Sequence, residues 1–348
     1  MRLTSLFVLV LLGFCTAPVR PQDPALRPYP HYELRVPGAA GDLGGELVLP
    51  AGTGPFPAVL LLAGSGPQGR DETVAGHRWL RVMSDQLARA GIASLRYDKR
   101  GVGDSDGDFA EATISDFARD AEAAFDWLAA RPEIDPAHIA LLGHSEGGMT
   151  ALLVAADRPV AAVVTMAGSG LPMDAIIRGQ VSDILHQQGI PAAEIARIDG
   201  QLARALDLVR ASAGDRASRP QLAAALERLP RGMRRPFLDL LGSPWATDAL
   251  QHDPAALAAR VDAPILALFG GTDLQVNARR NAAPLAALAV RRPAARRVEV
   301  HTLDGLNHLF QPSATGALED YARIETTIAP AALDAVIGFL KTDFDAMR

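Results

Sequence analysis

The stretch Gly143-His144-Ser145-Glu146-Gly147-Gly148 decides how this chain is read. Just before it, His138-Ile139-Ala140-Leu141-Leu142 is a short apolar run with the character of a buried strand. Just after it, Met149 to Ala156 reads Met-Thr-Ala-Leu-Leu-Val-Ala-Ala, a helical run. A serine between glycines at a strand-to-helix corner is the nucleophile-elbow pattern Gly-x-Ser-x-Gly. The turn is too tight for a Cβ at either flank. It holds the serine hydroxyl above the sheet edge, where the first N–H groups of the next helix have no intrahelical acceptor.

Working outward, Ala58-Val59-Leu60-Leu61-Leu62 and Val160 to Met166 are further apolar runs, as expected of strands buried on both faces, and Ile92 to Tyr97 and Pro264 to Phe269 read as further strands. Between them lie helical patterns, one with Leu80, Met83 and Leu87 on one face before Gly91. Another runs from Thr113 to Ala130 with a capping-box start at Thr113 and Asp116. A strand Val298 to Thr302 and a final helix Ala331 to Lys341 complete the alternation. Tyr32 to Val36 and Leu43 to Leu49 make an antiparallel edge. Alternating strands and helices specify a mostly parallel central sheet flanked by helices, an α/β fold. The alternation lapses from Leu171 to Arg260, where amphipathic helical segments replace strands. About 90 residues is too long for a plain connection, so 171–260 reads as a helical cap inserted into a core of 31–170 and 261–348.

A serine hydroxyl is inert near neutral pH and needs a base, and the base needs an acid to orient it. In this architecture reactive groups sit on loops beyond the carboxyl ends of strands. Asp273, in Gly270-Gly271-Thr272-Asp273, and His308, in Gly305-Leu306-Asn307-His308, occupy such loops. With Ser145 they give the chain order Ser, Asp, His. Each has a plainer reading: Asp273 as the cap of the following helix, His308 as a surface histidine, and Asp304 stands as a rival acid. Of the other histidines, His77 and His252 are placed to face a pocket. His144 points elsewhere if Ser145 holds the elbow, and His301 reads as structural. The oxyanion donors expected are the backbone N–H groups of Glu146 and of Ser65, the latter in Gly64-Ser65-Gly66, where glycines permit close approach. Ser65 lacks the elbow setting of a nucleophile.

At this point several motifs, in order, carry a family resemblance. They are Gly-Ser-Gly-Pro-x-x-Arg-Asp (Gly64 to Asp71), Gly76-His77, Arg-Tyr-Asp-Lys-Arg-Gly-x-Gly-x-Ser (Arg96 to Ser105) and the Gly-His-Ser-Glu-Gly-Gly elbow. Gly-x-x-Asp-x-x-Val (Gly270 to Val276) and Asn-His-x-Phe (Asn307 to Phe310) follow. From about Tyr32 to the C-terminus the chain resembles the α/β-hydrolase superfamily, and within it bacterial serine esterases. The resemblance implies the α/β-hydrolase fold and carboxylic-ester hydrolysis by Ser145, Asp273 and His308 through an acyl-enzyme, on short to medium acyl chains. It implies loop-bracing roles for Asp98 and Arg100. No Cys/His ligand cluster appears in the sequence, so no metal and no cofactor are expected. Aminopeptidase and thioesterase chemistry use the same three residues, and a non-catalytic binding protein is the alternative of a different class.

Composition bounds the rest. With 348 residues, 49% of them hydrophobic, the chain can bury a large core. The 34 basic and 40 acidic residues leave a net charge of −6, which argues against a nucleic-acid partner. The expected partner is a small-molecule ester; oligomeric state is not written in the sequence. Met1-Arg2, the apolar run Leu6 to Phe14 and the small-residue end Cys15-Thr16-Ala17 read as a secretory signal peptide over residues 1–17, too short for a comfortable membrane span. The expected location is therefore periplasmic or extracellular. Cys15 is the only cysteine, which leaves no disulfide framework or cysteine metal site. Leu12-Gly13-Phe14-Cys15 loosely resembles a lipoprotein box, but Phe14 is bulky where a small residue is expected, so lipid anchoring is disfavoured. Residues 18–30 are a proline-rich linker.

Overall fold

The computed structural model describes residues 28–212 and 215–347. The expected signal peptide with Cys15, and the linker up to residue 27, lie outside the described residues.

Eight strands form the central sheet: β1 (His31–Gly38), β2 (Gly41–Val48), β3 (Phe56–Leu62), β6 (Ala93–Tyr97), β7 (Ile134–His144), β8 (Val163–Met166), β9 (Ile265–Gly270) and β10 (Val298–Leu303). A separate two-stranded ribbon pairs β4 (Thr73–Val74) with β5 (His77–Arg78). The order across the sheet is β1-β2-β6-β3-β7-β8-β9-β10. The pairs β1–β2 and β2–β6 are antiparallel and every pair from β6 to β10 is parallel.

The inner strands β3 and β9 are apolar along their length because both faces are covered. Along β3, Ala58, Leu60 and Leu62 pack into one core while Val59 and Leu61 pack into the other. The same period of two splits β9, with Ile265, Ala267 and Phe269 on one face and Leu266 and Leu268 on the other. Helices α1 (Trp79–Arg89) and α11 (Pro330–Ala346) cover the second face. Helices α2 (Ile114–Ala129), α3 (Glu146–Asp157) and α10 (Ala278–Ala289) cover the first.

Local signals set the helix ends. Thr113 accepts from the Asp116 N–H and Asp116 accepts from the Thr113 N–H, closing the capping box at the start of α2. After α1, Gly91 takes a positive φ of 86°, which turns the chain out of the helix. Between β8 and β9 the described residues form helices and turns only: α4 (Met173–Gln187), α5 (Ala192–Ser212), α6 (Arg219–Leu226), α7 (Arg231–Leu241), α8 (Pro244–Ala249) and α9 (Pro254–Arg260), with a short 3-10 turn before α6. Their apolar faces join the first core, so this segment is packed on the sheet layer. The strand expected over Val160 to Met166 is shorter than its apolar run: the ladder to β9 begins at Val163↔Ile265. Pro264, the residue before β9, has no N–H to extend it. Among the described residues no helix is long and apolar enough to cross a membrane.

Candidate active site

Strand β7 ends at His144 and helix α3 begins at Glu146, so Ser145 is the corner between them. Its φ of 53° and ψ of −117° are costly for a residue with a Cβ. The close packing that enforces this turn is visible at the two glycines. A Cβ on Gly143 would sit 2.0 Å from the Gly147 carbonyl oxygen, and one on Gly147 would sit 2.1 Å from the Leu62 oxygen. The Ser145 N–H donates to the Met166 carbonyl at 2.8 Å, which ties the corner to β8.

Asp273 and His308 come to this corner from the loops after β9 and β10. His308 Nε2 lies 3.0 Å from Ser145 Oγ, and His308 Nδ1 lies 2.8 Å from Asp273 Oδ2. The Asp273 side chain is buried, and its other oxygen accepts from the Gln275 and Val276 N–H groups at 2.7 and 2.9 Å. Asp273 therefore braces its own turn as well as the imidazole, but it does not cap α10, whose N-cap is Asn277. Asp304, the rival acid, is exposed. The His308 loop is built on Asn307, whose Oδ1 accepts from Leu309 N–H and Gln311 N–H and whose Nδ2 donates to Gln311 Oε1.

Ser145 opens on a cavity of about 300 Å³. Ser65, Glu146 and His308 line it beside an apolar wall that includes Met149, Met173 and Trp245. Among the described residues, the Ser65 and Glu146 N–H groups donate to no protein acceptor. Gly64 lets this loop close on the serine: a Cβ there would be 3.3 Å from Ser145 Cβ and 2.6 Å from Glu72 Oε1.

Three residues around the serine have partners that their local sequence does not reveal. Glu72, buried and at a positive φ of 48°, accepts from the Gly64 N–H at 2.8 Å and lies 2.7 Å from His144 Nδ1. Trp79 stacks on His144 with 4.4 Å between ring centroids and donates its indole N–H to the Leu309 carbonyl. Lys99 donates to the Gly64 carbonyl and to Glu146 Oε1, both at 2.6 Å. His144 thus turns away from Ser145, as expected, but it braces the His308 loop, its Nε2 lying 3.1 Å from the His308 carbonyl oxygen. Burial pulls the His144 imidazole down, but the Glu72 carboxyl, the His308 carbonyl and Asp273 together more than offset this, so its pKa is raised above the ordinary value.

The other expectations sort by contact. His77 does not face the cavity; it is buried between Thr327 Oγ1 and the Tyr321 carbonyl. His252 lies near Ser115 and Asp248, also off the cavity. Asp98 pairs with Arg70 at 2.7 Å and Arg100 with Asp120 at 2.6 Å, so both brace the loop after β6. Among the described residues no group of three or more His, Cys, Asp or Glu side chains is placed to hold a metal ion.

Known proteins resemble this chain in sequence or in fold. The esterase EstD of Thermotoga maritima is 28% identical over 270 residues, which is 77% of this chain and 58% of that protein; the match thus spans a little over half of the relative's length. The α/β hydrolase GrgF of Penicillium sp. sh18 superposes with a TM-score of 0.59 at 19% identity, covering 90% of this chain and 99% of that one. The esterase Pf2001 of Pyrococcus furiosus superposes with a TM-score of 0.56 at 15% identity, covering 95% and 98%. At such identities these structures establish the fold, which is that of the α/β hydrolases. The family model for X-Pro dipeptidyl-peptidases matches residues 42–301, most of the sheet together with the helical segment, and the chain belongs to this S15 family.

Proposed function

We propose that the protein is a serine hydrolase that cleaves carboxylic esters of short to medium acyl chains. The observation that carries the reading is the 3.0 Å approach of His308 Nε2 to Ser145 Oγ with Asp273 on the far side of the ring. His308 takes the hydroxyl proton as Oγ bonds to the acyl carbon, and the carbonyl electron pair moves onto oxygen. The Ser65 and Glu146 N–H groups hold that oxyanion. Asp273 fixes the tautomer of His308 and stabilises its charged form. As the C–O bond breaks, His308 gives the proton to the departing alcohol. Water then attacks the acyl-enzyme by the same route, releasing the acid and restoring Ser145.

Helices α4 to α9 serve as a cap, with Met173, Ile176 and Ile177 of α4 and Trp245 of α8 forming the acyl wall. The name of the family supports a second reading, cleavage of peptides after an X-Pro pair. That chemistry needs a carboxylate to hold the substrate's terminal ammonium. Of the carboxylates lining the cavity, Glu72 faces His144, Glu146 is paired with Lys99, and Glu319 is exposed. The apolar wall favours esters. Export to the periplasm or beyond rests on the composition of residues 1–17.

The test is a panel of p-nitrophenyl esters, a thioester and an X-Pro p-nitroanilide given to the purified protein. A burst of p-nitrophenol that Ser145→Ala abolishes is expected, with esters preferred. Absence of both the burst and fluorophosphonate labelling of Ser145 sinks the hydrolase reading; preference for the anilide sinks the ester reading alone.

A further inference from the structure

An oxyanion hole works only if its donors are aimed before the charge develops. One donor here belongs to the Gly64–Ser65 peptide, on a loop where glycine imposes little conformational preference of its own. What fixes that peptide is a buried cation. Lys99 Nζ lies 2.6 Å from the Gly64 carbonyl oxygen and 2.6 Å from Glu146 Oε1, and the Phe117 ring centroid lies 4.5 Å away. An ammonium has three N–H donors, and two acceptors and an aromatic face account for them. The Lys99 side chain is 7% exposed and that of Glu146 3%.

We propose that Lys99 is a positioning residue for the oxyanion hole, aiming the Ser65 N–H and locking it to the first residue of helix α3. The inference rests on the serine-hydrolase reading above. A trans peptide is planar, with its C=O and N–H pointing in opposite directions. Holding the Gly64 oxygen on Lys99 therefore turns the Ser65 N–H to the opposite side. The Gly64 N–H, on the preceding peptide, is held by Glu72 Oε1 at 2.8 Å, so both peptides flanking Gly64 are pinned. The second hydrogen bond of Lys99 goes to Glu146, whose own N–H is the other donor. One ammonium thus spans both halves of the hole. A cation on the carbonyl end also polarises the peptide and strengthens its N–H as a donor.

The test uses the full chain and three variants: Lys99→Met/Glu146→Gln, which removes both charges together, Lys99→Arg, which keeps the cation but changes its shape, and Glu146→Gln, which leaves the Lys99–Gly64 contact. The readouts are thermal unfolding, kcat and KM on p-nitrophenyl butyrate, and the affinity of a butyl trifluoromethyl ketone, whose adduct places an oxyanion in the hole. The double variant is expected to lose about 10- to 100-fold in kcat with KM within about threefold, and ketone affinity falls by the same factor. Lys99→Arg is expected to lose less, with kcat and ketone affinity again moving together at unchanged melting temperature. Glu146→Gln loses less than the double variant. A wild type that neither hydrolyses the ester nor takes a fluorophosphonate label overturns the hydrolase reading and this inference with it. An active wild type whose kcat is unchanged in the double variant or in Lys99→Arg overturns the inference alone. So does a Glu146→Gln loss as large as that of the double variant.

Discussion

His144 Nδ1 and Glu72 Oε1 stand 2.7 Å apart with both side chains buried against Gly64. The other ring nitrogen faces the His308 carbonyl, which can only accept, so Nε2 carries a proton. The imidazole and the Glu72 carboxyl form a buried pair wedged between the serine loop and the His308 loop. Trp79 closes one ring face, and Asp273 adds a smaller attraction from the His308 side.

This pair makes stability depend on pH in a definite direction. The folded pKa of His144 is raised by Glu72 above its unfolded value of about 6.5. The folded protein therefore holds this proton more tightly than the unfolded chain. Its contribution is fully present below about pH 6.5 and is lost as pH rises through the raised folded pKa. Melting temperatures measured from about pH 6 to about pH 9 should fall more steeply for the wild type than for Glu72→Gln, which removes the largest cause of the rise. Parallel slopes would show that the pair does not carry this proton.

Asp273→Asn separates the two duties of Asp273. An asparagine Oδ1 still accepts from the Gln275 and Val276 N–H groups, so the turn survives. Its amide N–H then faces His308 Nδ1, which pushes the ring proton to Nε2, toward Ser145. That is the wrong tautomer for a base. A loss in kcat on the order of 10⁴-fold is expected, with a melting temperature close to wild type. An active Asp273→Asn protein would mean that Ser145 draws its base from elsewhere.

How much of this was legible in the sequence follows from how each feature is encoded. Strands buried on both faces are written as unbroken apolar runs, so Ala58 to Leu62 and Ile265 to Phe269 announced the centre of the sheet. The positions of Ser145, Asp273 and His308 after the parallel strands β7, β9 and β10 put them at one sheet edge, and the folded chain brings their side chains within hydrogen-bond distance. Glu72, Trp79 and Lys99 are encoded differently. Lys99 meets Glu146 across 47 positions and Glu72 meets His144 across 72, and no local period records such contacts. Lys99 was in view as part of Arg96 to Ser105, yet its chemistry depends on a partner in another segment. His77 shows the converse: beside a recognisable glycine, it turned out to be a satisfied core histidine.

The elbow makes a stability prediction that is independent of chemistry. Gly147→Ala adds one methyl 2.1 Å from the Leu62 oxygen, a backbone atom of the central strand β3 that has nowhere to move. Overpacking of this kind typically costs about 1–3 kcal/mol, and sometimes more where backbone must shift. The variant should be insoluble or should melt well below wild type by circular dichroism. An unchanged melting temperature would show that helix α3 does not press on β3 as closely as these contacts require.

A cap role for α4 can be tested at one side chain. Ile177 lies on α4, facing the cavity with Met173 and Ile176, and its neighbours there are apolar. If α4 forms the acyl wall, volume added at 177 must come out of the space for the acyl chain. Each methylene that loses its place gives up about 0.8 kcal/mol, so excluding two of them costs roughly tenfold. Ile177→Trp should therefore lower kcat/KM for p-nitrophenyl octanoate relative to the butyrate by about tenfold, and Ile177→Ala should shift the preference toward longer chains. Ser145 labelling by a fluorophosphonate should persist in both, since residue 177 lies outside the Ser145–His308–Asp273 contacts. Opposite shifts in chain-length preference at retained labelling identify α4 as the wall that sets acyl length. An identical profile in all three proteins would place the acyl chain elsewhere in the cavity.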